Sequence, residues 1–322
     1  MTPFLLGGAA VATKCSIGVS IYPDHGTNSE ELISKADIVL YKSKEEQKGD
    51  VMFYNADINQ QVQYNTLLEN QLNQAVKRNE ISVVYQPQIN TETQEIESVE
   101  ALCRWHNPEL GIVSPLEFIP VAERMGVIHD LGDYVFHLAC RDTLALMPNG
   151  ENAIGVSINI SPKQLSRLDF EQLVMTIVQE SSIDIDRVTL EITENIFIDD
   201  LATVSPVLQR LRAQGFGISL DDFCTGYSSL NYLNNLPITE IKIDRSFVKD
   251  LLEGHMEKDL CEAIISMAHK LSLKVIAEGI ETEQQAAILQ QFGCDLGQGY
   301  LFAKPLPVED AEALLASQMM EK

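Results

Sequence analysis

Strand-like and helical segments alternate from Ile81 to Phe302, and this alternation constrains the fold more than any other feature of the sequence. Short apolar strands that are separated by amphipathic helices form parallel sheets with helical crossovers. Eight such strands, the number in one closed barrel, predict a TIM-like (β/α)8 barrel of the α/β class. The predicted strands are 81–87, 97–105, 153–160, 188–193, 217–223, 240–243, 274–278 and 297–302.

The first connection of this barrel departs from the pattern. Only residues 88–96, with the short polar turn Asn90-Thr-Glu-Thr-Gln94, separate the first two predicted strands, whereas a parallel crossover with its helix needs about a dozen residues or more. We therefore expect an antiparallel first strand. The sequence contains no G-x-G-x-x-G and no P-loop, so a nucleotide-binding Rossmann or Walker fold has no support from motifs.

A different pattern precedes the barrel. Residues 14–55 are typical of a strand, a helix and a second strand, which is marginal for an independent core. We expect residues 1–57 to be a small N-terminal β-α-β fragment of a larger domain, residues 58–65 to be a linker, and residues 66–322 to form the barrel. Within the barrel, Ser114-Pro and Ser161-Pro, each followed by Glu or Gln at the third helical position, predict helix starts.

The charge of the chain restricts its partners. The 322 residues carry a formal net charge of −24, which argues against polymeric nucleic acid and anionic membrane surfaces, since both attract basic patches. A small anionic substrate remains possible where metal ions intervene. The six scattered cysteines lack zinc spacing, and no apolar stretch reaches the roughly 18–20 residues of a membrane helix. We expect a cytoplasmic chain without membrane contact, although a longer parent protein could be anchored upstream.

Polar residues end six of the predicted strands. Because the carboxyl ends of barrel strands converge on one face, we expect these side chains to meet. One such residue alone is more often a solvated loop residue or a surface lysine, so the prediction depends on the joint pattern. Clustered carboxylates repel without cations, and hard oxygen ligands favour Mg²⁺ or Mn²⁺. The pattern suits a two-metal site for phosphodiester cleavage, built from Glu100, Asn159, Glu191, Asp221, Asp222, Lys242 and Glu278.

Residues from about 66 to 318 resemble the EAL domain, a cyclic di-GMP phosphodiesterase. The motifs that carry the resemblance include Glu100-Ala-Leu with Arg104-Trp105, Glu191-Ile-Thr-Glu194, Asp221-Asp-Phe, Ile241-Lys-Ile-Asp244, Ala277-Glu-Gly-Ile-Glu281 and Gln298-Gly-Tyr. Residues 14–57 resemble the C-terminal end of a GGDEF domain, without that family's signature. We therefore expect hydrolysis of cyclic di-GMP to linear pGpG, and no synthesis of cyclic di-GMP.

The resemblance also implies roles for individual residues. It makes Glu278, Lys242 and Asp222 catalytic, and it implies a homodimer that forms through the loop Asp221–Leu230. Glu194 would anchor the loop that follows Asp222. The implied metal ligands are Glu100, Asn159, Glu191, Asp221, Asp222 and Glu278, and the implied substrate contacts are Arg104, Glu281 and Gln298.

One residue of this loop departs from the family pattern. Cys224 stands where glycine is usual, and a positive φ there would cost a cysteine on the order of 1 kcal/mol or more. The sequence leaves open three alternatives to an ordinary phosphodiesterase. The chain could be a cyclic di-GMP receptor with little or no catalysis, an enzyme whose activity is conditional on this altered loop, or a barrel phosphohydrolase with another substrate.

Overall fold

The structure is a computed structural model, and it describes residues 4–6, 9–11, 14–45, 50–146, 154–194, 196–224, 233, 236–252 and 255–320. The chain divides into two compact units, Met1–Asn73 and Gln74–Lys322. None of the described helices is both long enough and apolar enough to cross a membrane.

The first unit contains the predicted β-α-β arrangement. Strands β3 (Ile17–Val19) and β4 (Val51–Phe53) are parallel neighbours, and helix α1 (Ser29–Glu45) connects them. A hairpin that was not predicted precedes them, made of β1 (Phe4–Leu6) and β2 (Ala9–Val11).

Gly18 explains how closely α1 packs on this small sheet. A Cβ atom at this position would lie 2.1 Å from the carbonyl oxygen of Ala36 and 2.9 Å from Cβ of Leu40. Any side chain on Gly18 would therefore push the helix away from β3.

Residues 58–65, expected to be a linker, are helical. Helix α2 covers Ala56–Ala75 and so includes all of them. The amide N–H of Ile58 donates to Oδ1 of Asn55 at 2.7 Å, which is the contact of an asparagine at a helix N-cap. No glycine or proline interrupts the sequence after this cap, so the helix continues.

Eight strands of the second unit form a closed barrel, as predicted. A short strand that was not predicted, β7 (Gly111–Val113), pairs with one of them at the edge. The barrel strands are β5 (Ile81–Asn90), β6 (Ile96–Asn107), β8 (Gly155–Asn159), β9 (Val188–Thr193), β10 (Gly217–Phe223), β11 (Glu240–Ile243), β12 (Lys274–Ala277) and β13 (Leu296–Gly297).

Strand β5 closes the barrel and is antiparallel to both of its neighbours, β6 and β13. The remaining neighbouring pairs of the barrel are parallel. The turn between β5 and β6 depends on Asn90, whose Oδ1 accepts from the amides of Glu92 and Thr93 at 3.0 Å each. This local contact is an Asx turn, and it confirms the antiparallel first strand that the short connection predicts.

Helices surround the barrel, and both predicted helix starts are confirmed. Ser114 and Ser161 each form a capping box at the start of α3 and α5. The described helices of this unit are α3 (Pro115–Met125), α4 (Ile128–Ala145), α5 (Pro162–Leu165), α6 (Phe170–Ser181), α7 (Ile196–Gln214), α8 (Arg245–Lys249), α9 (His255–Lys270), α10 (Glu283–Gln291) and α11 (Val308–Met320), with a 3₁₀ turn at Ile185–Arg187.

The last predicted strand is shorter than expected. It ends at Gly297, and the amides of Phe302 and Ala303 both donate to the carbonyl oxygen of Gly299 to form a turn. A Cβ atom on Gly299 would lie 2.1 Å from the carbonyl oxygen of Ile280. This close approach requires glycine and bends the chain away from the sheet.

The apolar core lies between the strands and the helices. Leu190 and Ile218 of the sheet and Leu208 and Ile265 of the helices are fully buried. The neighbouring positions on the strands face the barrel interior, where several buried side chains are polar. Among these are Gln86, Gln88, Glu100, Ser157, Glu191, Ser219, Lys242 and Gln298.

Tyr85 connects three parts of the barrel unit. Its backbone N–H and C=O both pair with Leu306, at 2.7 and 2.8 Å. Its hydroxyl donates to Oδ2 of Asp142 on α4 at 2.8 Å. Burial, together with the neighbouring Asp142 carboxylate, raises the pKa of the Tyr85 hydroxyl, so the group stays protonated as the donor.

We predict that Tyr85→Phe lowers the free energy of unfolding by about 1 to 3 kcal/mol, because Oδ2 of Asp142 loses its buried donor while the ring still fills its space. Chemical denaturation measures the change. Tyr300→Phe is the control, since Tyr300 is 61% exposed. An equal effect of both variants would contradict the role given to the Asp142 contact.

Candidate functional site

A buried lysine lies at the centre of the carboxyl ends of the strands. The ammonium of Lys242 is 2.6 Å from Glu278, 2.9 Å from Glu191, 3.4 Å from Glu100 and 3.7 Å from Asp221. Lys242 itself is 0% exposed. One positive charge thus faces four acidic side chains away from bulk water.

The strand register brings these residues together. Lys242 and Glu240 share a face of β11, because residues two apart on a strand point the same way. Asn159 pairs with Glu191 across β8 and β9, and Glu278 directly follows β12. The parallel strands end at the same level, so residues far apart in sequence meet around Lys242.

Burial and charge shift the pKa values of the cluster in opposite directions. Burial lowers the pKa of Lys242, but the four carboxylates outweigh burial and raise it well above its usual value, so the ammonium is retained. Burial is also the largest influence on Glu278 and raises the pKa of its carboxyl to about 7 despite Lys242. Burial and the nearby Glu100 raise the pKa of Glu191.

Glu100 is the most firmly held carboxylate. Its Oε1 accepts from Nδ2 of Asn159 at 2.8 Å, and its Oε2 accepts from Nε2 of Gln298 at 2.5 Å. Burial alone would raise the pKa of Glu100, but Lys242 and these two amides lower it below the usual value. Glu100 is therefore ionised at neutral pH.

A cavity of about 460 Å³ adjoins the cluster and has a mixed lining. Glu100, Asn159 and Glu191 line it together with Arg104 and several apolar side chains. Cys103 lies in its wall, and burial raises the pKa of this thiol to about 12, so it is protonated and unreactive at neutral pH. The apolar lining residues include Leu102, Leu116, Ile119, Ile128, Leu131 and Val135.

The end of β10 carries backbone strain. Asp222 has φ of 56° and Cys224 has φ of 69°, and this left-handed region disfavours residues with a Cβ atom. Aspartate tolerates it better than cysteine does. Cys224 therefore has the positive φ at which a cysteine is costly, while the loop residues 225–232 lie outside the described part of the chain.

Most of the predicted site residues meet in this cluster. Asp222 lies beside it, where its amide donates to Oδ1 of Asp221 at 2.9 Å. Burial, Asp221 and Asp244 raise the pKa of Asp222. The residues in direct contact are Glu100, Asn159, Glu191, Asp221, Lys242, Glu278 and Gln298.

Three predicted residues lie apart from Lys242. Arg104 lines the cavity, and its Nη1 donates to the carbonyl oxygen of Cys103 at 2.9 Å. Glu194 is buried, and its backbone amide donates to the carbonyl oxygen of Asp221 at 3.2 Å. Glu281 is exposed, and within the described residues no hydrogen bond or ion pair joins its carboxylate to the cluster.

The donor set fits a hard divalent cation. Four carboxylates exceed the charge of one ammonium, and Oε1 of Glu191 is buried with no hydrogen-bond partner among the described residues. Oxygen ligands of this kind are those that Mg²⁺ and Mn²⁺ prefer. However, no three His, Cys, Asp or Glu side chains of the described chain are arranged around a common metal position, because the carboxylates point at Lys242.

Several polar contacts of the site were not predicted from the sequence. Gln86 and Gln88 lie on one face of β5 and contact Gln298 at 3.1 and 3.0 Å. Their signal was available, since alternate polar residues in an otherwise apolar strand mark one face. The carboxylate of Glu123 accepts from Oγ of Ser161 at 2.6 Å and so holds the turn after Asn159. That contact joins distant segments and had no local signal.

Comparison with known proteins identifies the family of this chain. The model of the EAL domain matches residues 69–305. The chain belongs to the EAL-domain family. The model described as diguanylate cyclase, GGDEF domain, matches residues 1–50.

Individual relatives agree with this EAL assignment. The chain is 37% identical over 313 residues to the cyclic di-GMP phosphodiesterase NbdA of Pseudomonas aeruginosa PAO1, covering 97% of this chain and 40% of that protein. It is 36% identical over 305 residues to the cyclic di-GMP phosphodiesterase PdeR of Escherichia coli K12, covering 95% and 46%. The chain thus spans less than half the length of these two relatives.

A solved structure extends the similarity to the fold. The PaMucR phosphodiesterase in complex with c-di-GMP has 36% sequence identity and a TM-score of 0.72. The match covers 76% of this chain and 99% of that one. The closed barrel with its antiparallel β5 is therefore the architecture of an EAL domain.

We predict that Cys224→Gly raises the free energy of unfolding by about 0.5 to 1 kcal/mol. Relief of the left-handed conformation, about 1 to 2 kcal/mol, exceeds the entropy that glycine adds to the unfolded chain. Urea denaturation measures the change. Cys224→Ala is the control because it removes the thiol but keeps Cβ, and equal stabilisation by both variants would contradict the role of φ.

Glu278 generates a pH prediction for protein stripped of metal with EDTA. The folded chain holds a proton on Glu278 up to about pH 7, whereas an unfolded glutamate loses it near its ordinary pKa. Between these two pKa values the folded state binds more protons than the unfolded state does. The contribution of Glu278 to the free energy of unfolding therefore falls as pH rises.

We expect Glu278→Gln to remove this decline. The change in the free energy of unfolding that the substitution causes in the stripped protein should be more favourable at pH 8 than at pH 5, by on the order of 1 to 3 kcal/mol. Denaturation at both pH values measures it. Glu281→Gln, a change in the same loop at an exposed position, is the control. A pH-independent effect of Glu278→Gln would contradict the raised pKa.

Proposed function

We propose that the barrel hydrolyses cyclic di-GMP to linear pGpG with the assistance of two Mg²⁺ or Mn²⁺ ions. The buried cluster of Lys242 and four carboxylates beside a cavity that also contains Arg104 is the observation that carries this proposal. The similarity to the cyclic di-GMP phosphodiesterases NbdA and PdeR, and to the PaMucR phosphodiesterase with bound c-di-GMP, supports the choice of substrate.

The proposed metal ligands are Glu100, Asn159, Glu191, Asp221, Asp222 and Glu278. When bound, the ions activate a water molecule and stabilise the charge that develops on the phosphate. Glu100 and Glu191 are suited to be metal ligands because both carboxylates are buried, so that solvent does not screen their charge.

The other residues of the site act on substrate and protons. Lys242 is a fixed ammonium that can neutralise a phosphate oxygen or orient the attacking water. Glu278, whose pKa lies at about 7, can accept a proton near neutral pH, as a general base requires. Arg104 can bind a second phosphate oxygen through its planar guanidinium.

Two further assignments complete the proposal for the site. Glu281 is exposed and follows β12. It is proposed to contact the part of the substrate that lies outside the Lys242 cluster. Glu194 is proposed to anchor the loop after Asp222, because it lies buried against the backbone of Asp221. The amide of Gln298 is committed to Glu100, which favours support of that carboxylate over direct substrate contact.

The organisation around the barrel is also part of the proposal. We propose a GGDEF remnant over residues 1–57 and an EAL barrel over 66–322, in a cytoplasmic protein. We propose a homodimer through the loop Asp221–Leu230.

A cyclic di-GMP receptor with little catalysis is the second candidate. The strained end of β10 favours it, because Asp222 and Cys224 both have positive φ next to the proposed ligand Asp221. A misplaced Asp222 would weaken binding of the second metal ion and leave binding of cyclic di-GMP intact. Such a protein would bind cyclic di-GMP without turnover.

The test is hydrolysis of cyclic di-GMP by the purified chain with Mg²⁺, with Mn²⁺ and with EDTA, followed by chromatography of pGpG. We predict metal-dependent turnover that Glu100→Gln lowers by about 100-fold or more, because a neutral amide is a poor metal ligand. Glu97→Gln is the matched control on the same strand, since Glu97 pairs with Lys274 at the other end of the barrel.

Each result separates the candidates. Titratable binding of cyclic di-GMP without pGpG under either metal would establish the receptor instead. Preference for another phosphodiester would establish a different phosphohydrolase. Turnover by Glu100→Gln equal to that of the wild type would refute the role of Glu100.

A further inference from the structure

A directed chain of hydrogen bonds crosses the barrel interior and ends on Glu100. Oγ of Ser98 donates to Oε1 of Gln88 at 2.5 Å, and Nε2 of Gln88 donates to Oε1 of Gln298 at 3.0 Å. Nε2 of Gln298 then donates to Oε2 of Glu100 at 2.5 Å. We call Ser98, Gln88 and Gln298 the amide relay.

The direction of each bond in the relay determines the direction of the next. A primary amide has a donor end and an acceptor end, and a carboxylate only accepts. Because the Glu100 carboxylate only accepts, the donor end of Gln298 faces it, and the oxygen of Gln298 is left to accept from the nitrogen of Gln88. The oxygen of Gln88 then faces Ser98, whose hydroxyl donates to it.

The Gln298 amide uses both of its N–H donors. Its nitrogen donates to Oε1 of Gln86 at 3.1 Å as well as to Glu100, while its oxygen accepts from Gln88. Gln88 is 0% exposed and Gln298 is 4% exposed, so water cannot replace a lost partner. A reversed Gln298 amide would place its oxygen against the Glu100 carboxylate, which is repulsive.

The antiparallel strand β5 is what makes the relay possible. It lies between β6 and β13, and so places Gln88 between Ser98 on β6 and Gln298 after β13. Gln88 and Ser98 are direct cross-strand partners, as are Gln86 and Glu100. The backbone of Gln298 is held by bonds to Ala277 and Ile280 at 2.8 and 3.1 Å.

We propose that Gln88, held by the hydroxyl of Ser98, is a positioning residue that fixes the Gln298 amide and thereby presents the Glu100 carboxylate for metal binding. This inference rests on the proposed function of the site. Asn159 holds the other carboxylate oxygen at 2.8 Å, so the relay and Asn159 together fix the plane of the carboxylate. Partners of this kind typically change metal affinity by about 10- to 100-fold when they are lost.

The test is a double-mutant cycle with Gln88→Met and Gln298→Met, which replace the amides by apolar groups of similar size. We titrate Mn²⁺ into EDTA-stripped and dialysed protein and follow free Mn²⁺ by electron paramagnetic resonance. Gln88→Met is expected to weaken Mn²⁺ binding by about 10-fold. It should add almost nothing in the Gln298→Met background, because Gln88 acts through Gln298.

Two further variants keep the test interpretable. Ser98→Ala removes only the first bond of the relay at a half-buried position, and is expected to weaken Mn²⁺ binding in the same direction by about 3-fold, less than Gln88→Met. Gln290→Met is the matched control, since its amide donates to the carbonyl oxygen of Thr91 at 2.8 Å and lies outside the relay. Thermal denaturation verifies that each variant is folded.

The inference is overturned if folded Gln88→Met and Ser98→Ala bind Mn²⁺ as the wild type does, or if the effects of Gln88→Met and Gln298→Met add. It is also overturned if the wild type binds no Mn²⁺. Hydrolysis is measured separately. A wild type that binds Mn²⁺ and shows the expected cycle without cleaving cyclic di-GMP would overturn the proposed enzyme and leave the relay supported.

Discussion

The charge balance around Lys242 is the constraint on which the rest of the site depends. Burial of an ammonium is costly unless opposite charges surround it, and here four carboxylates do so from different strands. The same four carboxylates exceed one positive charge, so the cluster as a whole favours further cations. A closed barrel supplies this arrangement because its parallel strands end at one level, and the polar ends need not be near one another in sequence.

The antiparallel first strand changes how this barrel supports its site. In an all-parallel barrel each strand is followed by a helix, whereas β5 turns directly into β6 through the Asn90 turn. This hairpin brings Gln86 opposite Glu100 and Gln88 opposite Ser98. Support for one carboxylate therefore comes from the strand that closes the barrel. The left-handed residues at the end of β10 lie on the opposite part of the ring, where the structure accepts backbone strain beside Asp221.

The success of sequence reasoning differed between local and distant contacts. The capping boxes at Ser114 and Ser161 are confirmed, because a cap depends on residues three positions apart. Glu100 and Lys242 lie within β6 and β11, and the convergence of barrel strands on one face predicted that they would meet. The helical structure of residues 58–65 was not predicted, since the cap at Asn55 lies before the segment expected to be a linker. The relay through Gln88 was missed, because its partners come from three strands that meet only when the barrel closes.

The sequence by itself determined the class of fold, the antiparallel start of the barrel and the residues that meet at its carboxyl end. These follow from short-range rules: the period of a strand, the length of a connection and the residue that ends each strand. Only the tertiary structure decided which groups touch, which carboxylates share Lys242, and which end of the Gln298 amide faces Glu100. Those outcomes depend on burial and on partners brought together by barrel closure, and the free energy of a buried polar group is set by its neighbours in space.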